Sequence, residues 1–141
     1  MKSSLLILFT CLPFIFSIET TPPTGWRGPH RDGVYPETNL LTSWPVGGPT
    51  LLWKYDGLGQ GYSSAAVTSN RVYTIGTLDS ISSVFCWDLE GKLLWQKELG
   101  REWMTNFPGS RSTPTIYQGL GYYMDGLGIL YCFSAEDGEI V

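Results

Sequence analysis

Ala65-Ala66-Val67-Thr68-Ser69-Asn70-Arg71-Val72-Tyr73-Thr74-Ile75-Gly76 aligns without gaps to Pro114-Thr115-Ile116-Tyr117-Gln118-Gly119-Leu120-Gly121-Tyr122-Tyr123-Met124-Asp125, an offset of 49. Val84-Phe85-Cys86-Trp87 matches Leu130-Tyr131-Cys132-Phe133 at an offset of 46, and Gly91-Lys92-Leu93-Leu94 matches Gly138-Glu139-Ile140-Val141 at 47. The runs keep their order and only the loops between them change length. Leu51-Leu52-Trp53 also precedes Leu93-Leu94-Trp95 by 42 residues, so one strand of the unit is started a third time.

A period of this size, filled with β-branched and aromatic residues and punctuated by glycine turns, is the signature of a β-propeller blade. The expected fold is therefore all-β: four-stranded antiparallel blades, one full blade and most of a second over residues 51–141, after an irregular N-terminal segment at 18–50. Propellers close from about 4 to 8 blades, and a blade buries its two faces only against neighbours. The second copy reaches Ile140-Val141, where the first continues into Trp95. The sequence thus reads as the front part of a longer chain whose remaining blades, or a companion protein, complete the ring.

The expected strands are Leu51 to Tyr55, Ser64 to Thr68, Arg71 to Ile75, Val84 to Asp88 and Lys92 to Gln96. Ser69-Asn70 and Gln118-Gly119 suit two-residue hairpin turns because asparagine and glycine tolerate positive φ. Glu90-Gly91 and Asp137-Gly138 do the same for the outer hairpin. Residues 18–50 carry Pro22, Pro23, Pro29, Pro36, Pro45 and Pro49 and should be extended and irregular. Trp26 and Trp44 in that stretch call for apolar burial, and Trp26 to Gly33 reads as a series of fixed turns lying across the face or side of the sheets.

Met1-Lys2-Ser3-Ser4 followed by the uncharged run Leu5 to Phe16 has the layout of a secretory signal peptide, cleaved near Ser17. The run is short and broken by Pro13, whereas a spanning helix needs about 20 apolar residues. Thr10 before Cys11 argues against a lipidation site. The expected location is secreted or periplasmic. Loss of Lys2 with the leader takes the net charge from −4 to −5, which leaves no basic patch for nucleic acid. The carboxylates are scattered singly, as on a solvated surface.

Cys86 and Cys132 occupy equivalent positions of adjacent repeats. Sheets pack about 10 Å apart while a disulfide needs Cα atoms within about 7 Å, so both are expected to be buried free thiols. His30 is the single histidine, which rules out a histidine-based zinc centre built from this chain alone and reads as a surface turn residue. Gly57 to Gly61 lacks the lysine and helix of a phosphate loop and reads as a flexible loop before a strand. The connection from Glu98 to Arg111, with the Ser110-Arg111-Ser112 turn, is where a ligand site is expected.

Trp26-Arg27-Gly28-Pro29-x-Arg31-Asp32-Gly33, Gly61-Tyr62-Ser63-Ser64, Arg71-Val72-Tyr73, Cys86-Trp87-Asp88-x-x-Gly91-Lys92-x-x-Trp95 and Ser112-Thr113-Pro114-Thr115 together resemble secreted bacterial proteins with PQQ-like β-propeller repeats. That group belongs to the quinoprotein alcohol dehydrogenase-like superfamily and includes BamB-like outer-membrane assembly factors. The resemblance implies scaffold roles for Trp95, Gly91 and Asp88, the tryptophan stacking between blades and the Asp-x-x-Gly turn fixing the outer hairpin. It also implies outer-membrane or cell-envelope partners. The enzymes of the superfamily hold PQQ between a tryptophan and a vicinal cysteine disulfide, with Ca²⁺ on acidic and amide side chains and an aspartate as base. This sequence has no adjacent cysteines and no paired ligand spacing. The expectation is a binding or scaffold module without catalysis, with no catalytic residue, metal ligand or cofactor in this stretch. The alternative is the N-terminal part of a PQQ- and calcium-dependent oxidoreductase acting on alcohols. Assembly of the chain with copies of itself is a third reading.

Overall fold

A computed structural model of the protein describes residues 22–141, so the expected leader at 1–17 lies outside the described residues. The chain is all-β, with no helix among the described residues and hence none long and apolar enough to cross a membrane. The strands are β1 (Ala66–Val67), β2 (Val72–Leu78), β3 (Ile81–Trp87), β4 (Leu93–Arg101), β5 (Thr115–Tyr117), β6 (Leu120–Met124) and β7 (Leu130–Ser134). They form a four-stranded antiparallel sheet, β1-β2-β3-β4, and a three-stranded sheet, β5-β6-β7.

The two sheets repeat one another pair by pair. Val72 faces Trp87, Tyr73 faces Cys86, Thr74 faces Phe85 and Ile75 faces Val84. At the equivalent positions Gly121 faces Phe133, Tyr122 faces Cys132, Tyr123 faces Tyr131 and Met124 faces Leu130. Ile140 then bridges Phe133 as Leu93 pairs with Trp87. Because side chains alternate faces with a period of two, a shared register means equivalent residues point the same way in both sheets. The change in offset from 49 to 46 arises in one hairpin. Asp79 and Ser80, both at positive φ, close β2–β3 with a two-residue turn after longer strands. In the second copy Asp125 organises a wider loop, its Oδ1 accepting from the N–H groups of Leu127 and Ile129.

The central strands β2 and β3 are buried on both faces, while edge strand β4 alternates. That fits their uninterrupted apolar and small-polar runs, since strands covered on both sides lose alternation. One face of the first sheet (Ala66, Tyr73, Ile75, Val84, Cys86) packs on Ile116, Tyr123 and Phe133 of the second, with Trp95, Leu99 and Tyr131 around them. Trp95 lies between the sheets, its ring 6.0 Å from Tyr73 and 6.3 Å from Phe133. It also covers Gly138, where any Cβ would enter the indole. The first sheet's other face repeats the device: Trp53 and Tyr55 sit 6.2 and 5.1 Å from Trp87, and Trp53 covers Gly91. Gly91 and Gly138 both have positive φ, 87° and 78°, which glycine alone adopts without strain. Polar links join the same sheets: Arg71 donates to the carbonyls of Ala135 and Glu136 and pairs with the Glu136 carboxylate, and the Tyr73 hydroxyl donates to Ala135.

Several expectations need correction. Leu51 to Tyr55 forms no strand; its rings pack on the first sheet, but no neighbouring strand offers its backbone a ladder. Trp26 and Trp44 are exposed, Trp44 by 70%. Ser69-Asn70 does turn the chain but neither residue has positive φ; the Thr68 hydroxyl accepts from the Arg71 N–H instead. Gln118-Gly119 has the expected left-handed pair, φ 48° and 78°. Residues 22–50 contain no strand, and Thr24 bridges Ile116 on the free edge of β5.

Cys86 and Cys132 are free, and Cys132 is half-buried where burial was expected. Burial pushes the Cys86 thiol up to about 11. Thiolate is the reactive form, so iodoacetamide at neutral pH should alkylate Cys132 well before Cys86 in the folded protein. Equal rates by peptide mass mapping would mean that the sheets do not stay packed.

Candidate functional site

Two segments meet at the end of the first sheet where β2 outruns the short β1. Gln60 and Thr77 exchange backbone hydrogen bonds at 2.9 and 3.0 Å, and Gly61 bridges Ser110, whose carbonyl accepts from the Tyr62 N–H. Ser110 is fully buried; its N–H donates to the Thr77 hydroxyl and its own hydroxyl donates to the Ile75 carbonyl. The Ser64 N–H donates to the Thr113 hydroxyl at 2.9 Å. Gly61 to Ser64 and Ser112 to Thr115, distant in sequence, are thereby joined. The glycines explain the tight approach, since a Cβ on Gly59 would collide with the Thr77 carbonyl. The Gly57–Gly61 loop, expected to be flexible, is instead tied to the sheet by these bonds.

The expected connection from Glu98 begins later, because β4 runs through Arg101. Its first residue is also its most constrained. Glu102 is 5% exposed. Its Oε2 accepts from the Ser82 and Tyr123 hydroxyls at 2.7 and 2.5 Å, and its Oε1 accepts from the N–H groups of Trp103 and Gly126 at 2.8 and 2.6 Å. Burial pushes this carboxyl up, but the four donors, led by Tyr123 and Ser82, outweigh it and hold the group below the usual glutamate range. Tyr123 is pushed the other way, by burial and by the carboxylate beside it. Glu102 thus departs from the reading of all carboxylates as solvated surface. Asp125, also buried, accepts from neighbouring backbone and holds its own loop.

Beyond Glu102 the loop turns outward. Asn106 and Phe107 are consecutive non-glycine residues at positive φ, 45° and 59°, a conformation that costs about 1–2 kcal/mol per residue. It is braced from within: Gly109 donates to Trp103, and Arg111 Nη2 donates to the carbonyls of Asn106 and Phe107 at 2.7 and 2.9 Å. The Arg111 guanidinium lies 5.9 Å above the Trp103 ring, within cation–π range. Phe107 and Tyr62 remain 74% and 60% exposed beside it, and the three side chains line an open depression of about 340 Å³.

The buried polar groups around this cluster are bonded within the fold. All acceptor positions of Glu102 are occupied, the Ser110 hydroxyl is buried and bonded, and His30 is an exposed residue of the N-terminal segment. Among the described residues no three His, Cys, Asp or Glu side chains converge. Cys86 and Cys132 stand in different sheets. Among the described residues there is neither a vicinal cysteine pair nor a cluster of acidic side chains of the kind the quinone enzymes use to hold PQQ and calcium. The sequence singled out this connection and its Ser110-Arg111-Ser112 turn, but not the part played by Tyr62 or the burial of Glu102. The unbroken Gly61-Tyr62-Ser63-Ser64 run next to a glycine-rich loop was the available signal for Tyr62. No family model matches this sequence, and neither a curated protein nor a solved structure is significantly similar to it.

Proposed function

We propose that this chain is part of a PQQ-like β-propeller repeat protein, exported to the periplasm or beyond, that acts as a binding and scaffold module without catalysis of its own. The observation that carries the reading is the shared register of the two sheets together with the repeated Trp-over-Gly contact, Trp53 on Gly91 and Trp95 on Gly138. Stacked units joined by a recurring interface are how repeat architectures build a continuous core. The outer face of the second sheet supports the same reading. Met124 and Leu130 are exposed there, at positions equivalent to the buried Ile75 and Val84. A further blade, from the same chain or a companion, is the covering partner, and the cell envelope is where such a ring would work. The apolar run from Leu5 to Phe16 supports export.

Hydrogen exchange on the native protein from its source cells tests this. Amides of Leu130–Ser134 should be as protected as those of β2 and β3, and rapid exchange across β7 would sink the assembly reading. On the same material, addition of PQQ, Ca²⁺ and simple alcohols should reduce no dye. Turnover there would replace the binding reading with the oxidoreductase one.

A further inference from the structure

We propose that the depression between Tyr62, Phe107 and Arg111 binds a ligand carrying a carboxylate beside a flat apolar face, Arg111 holding the carboxylate and the two rings the apolar face. This rests on the binding-module reading and names the ligand chemistry of its loop surface.

The first support is the state of Arg111. Among the described residues it has no acidic partner, a state it shares with Arg27, Arg31, Lys92 and Arg101, whereas Arg71, Lys54 and Lys97 are paired with Glu136, Asp56 and Glu139; what sets Arg111 apart is how it is held. Its Nη2 is spent on the Asn106 and Phe107 carbonyls, so the fork is fixed in place while Nη1 and Nε have no protein acceptor. A guanidinium held at one end and resting on Trp103 has already lost much of its rotamer freedom. Ordering it on binding therefore costs little, and its planar donors match a carboxylate.

The second support is the pair of rings. Phe107 is held outward by a left-handed backbone that a bulky residue adopts only when its surroundings impose it. Tyr62 is presented by a strand-like segment bonded to Ser110 through its own N–H. Neither ring packs against another aromatic side chain among the described residues, although Tyr55, Tyr73, Phe85 and Phe133 all do. Large exposed rings beside a fixed cation form a small amphipathic platform, of the size that begins to hold small molecules. The chain as a whole is acidic, with a net charge of −4. Long-range attraction therefore does not recruit the anion, and the local fork must supply the selectivity.

The test is an NMR titration of the native protein with benzoate, benzamide and benzyl alcohol, following the Trp103 indole and Arg111 Nε signals. Benzoate should shift both saturably, and the two neutral analogues should bind at least about tenfold more weakly, the value of one charge-assisted hydrogen bond. Arg111→Lys should weaken benzoate by a similar factor because a point charge replaces the fork. Tyr62→Ser, which leaves the Arg111 clamp intact, should weaken benzoate and benzyl alcohol alike. Equal binding of benzoate and benzamide, no saturable shift, or an Arg111→Lys protein that binds benzoate unchanged would overturn the assignment. A protected β7 with no benzoate response rejects the ligand class alone. An unprotected β7 with a normal response rejects the assembly reading alone.

Discussion

Replacing Glu102 with alanine is expected to destabilise the protein by about 3–5 kcal/mol, read as a lowered midpoint in urea unfolding. The carboxylate is the common acceptor for Ser82 of β3, Tyr123 of β6 and the N–H groups of Trp103 and Gly126. Its loss orphans donors in both sheets, each costing about 1–3 kcal/mol when left without a partner in the interior. Water entering the space left behind offsets part of that sum. Glu102→Gln should cost less, because the amide keeps one acceptor oxygen and the hydroxyls of Ser82 and Tyr123 can turn to accept from its NH₂.

The same site sets a pH dependence. The folded protein holds the Glu102 carboxyl below its ordinary value of 4.5, so the carboxylate's contribution is complete above that pH. It is lost as the pH falls below 4.5 and through the depressed folded value, because the unfolded chain takes up the proton first. Urea midpoints measured from pH 6 downward should fall for the wild type and fall less steeply for Glu102→Gln. Parallel curves would mean that the carboxylate is not the group being titrated.

Phe133→Ala is the second large effect, also about 3–5 kcal/mol, the usual cost of emptying a buried aromatic site. Phe133 is fully buried, meets the edge of Trp95 at 6.3 Å and lies against Gly121 across its own sheet. Its removal opens the space between the sheets on both sides, and β5-β6-β7 should then unfold before β2-β3. Hydrogen exchange resolved by strand would show this as early loss of protection at Leu120–Met124. A single cooperative transition with an unchanged midpoint would mean that Phe133 is not what joins the sheets.

Much of the strand order could be read from residues alone because the chain compares itself with itself. Tyr73 and Tyr122, Cys86 and Cys132, and Trp87 and Phe133 fall in register; the Asp79-Ser80 and Asp125 hairpins shift the count by three and the turns before Gly91 and Gly138 by one. Leu51–Tyr55 misled for a definite reason. Its apolar spacing satisfies a strand's side chains, but a strand also needs a neighbour for its N–H and C=O groups, and Trp53 and Tyr55 meet the sheet through their side chains, on the rings of Phe85 and Trp87 and at the Leu89 carbonyl. In the candidate site the connection around Arg111 was visible as the longest loop after residue 50. Glu102 was not, since a lone glutamate in a loop looks like solvated surface until its donors are known.

Patterning along the chain settled the all-β class, the repeated unit, the glycine turns at Gly91 and Gly138 and the absence of adjacent cysteines, because each is a matter of the order of residues and not of what packs on them. Only the packed structure decided that Glu102 is a buried junction, that Trp26 and Trp44 stay exposed, and that Tyr62 comes beside Phe107 and Arg111. Burial and hydrogen-bond partners are set by segments far apart in sequence, and the free energy of a charge or a ring depends on what the fold brings to it.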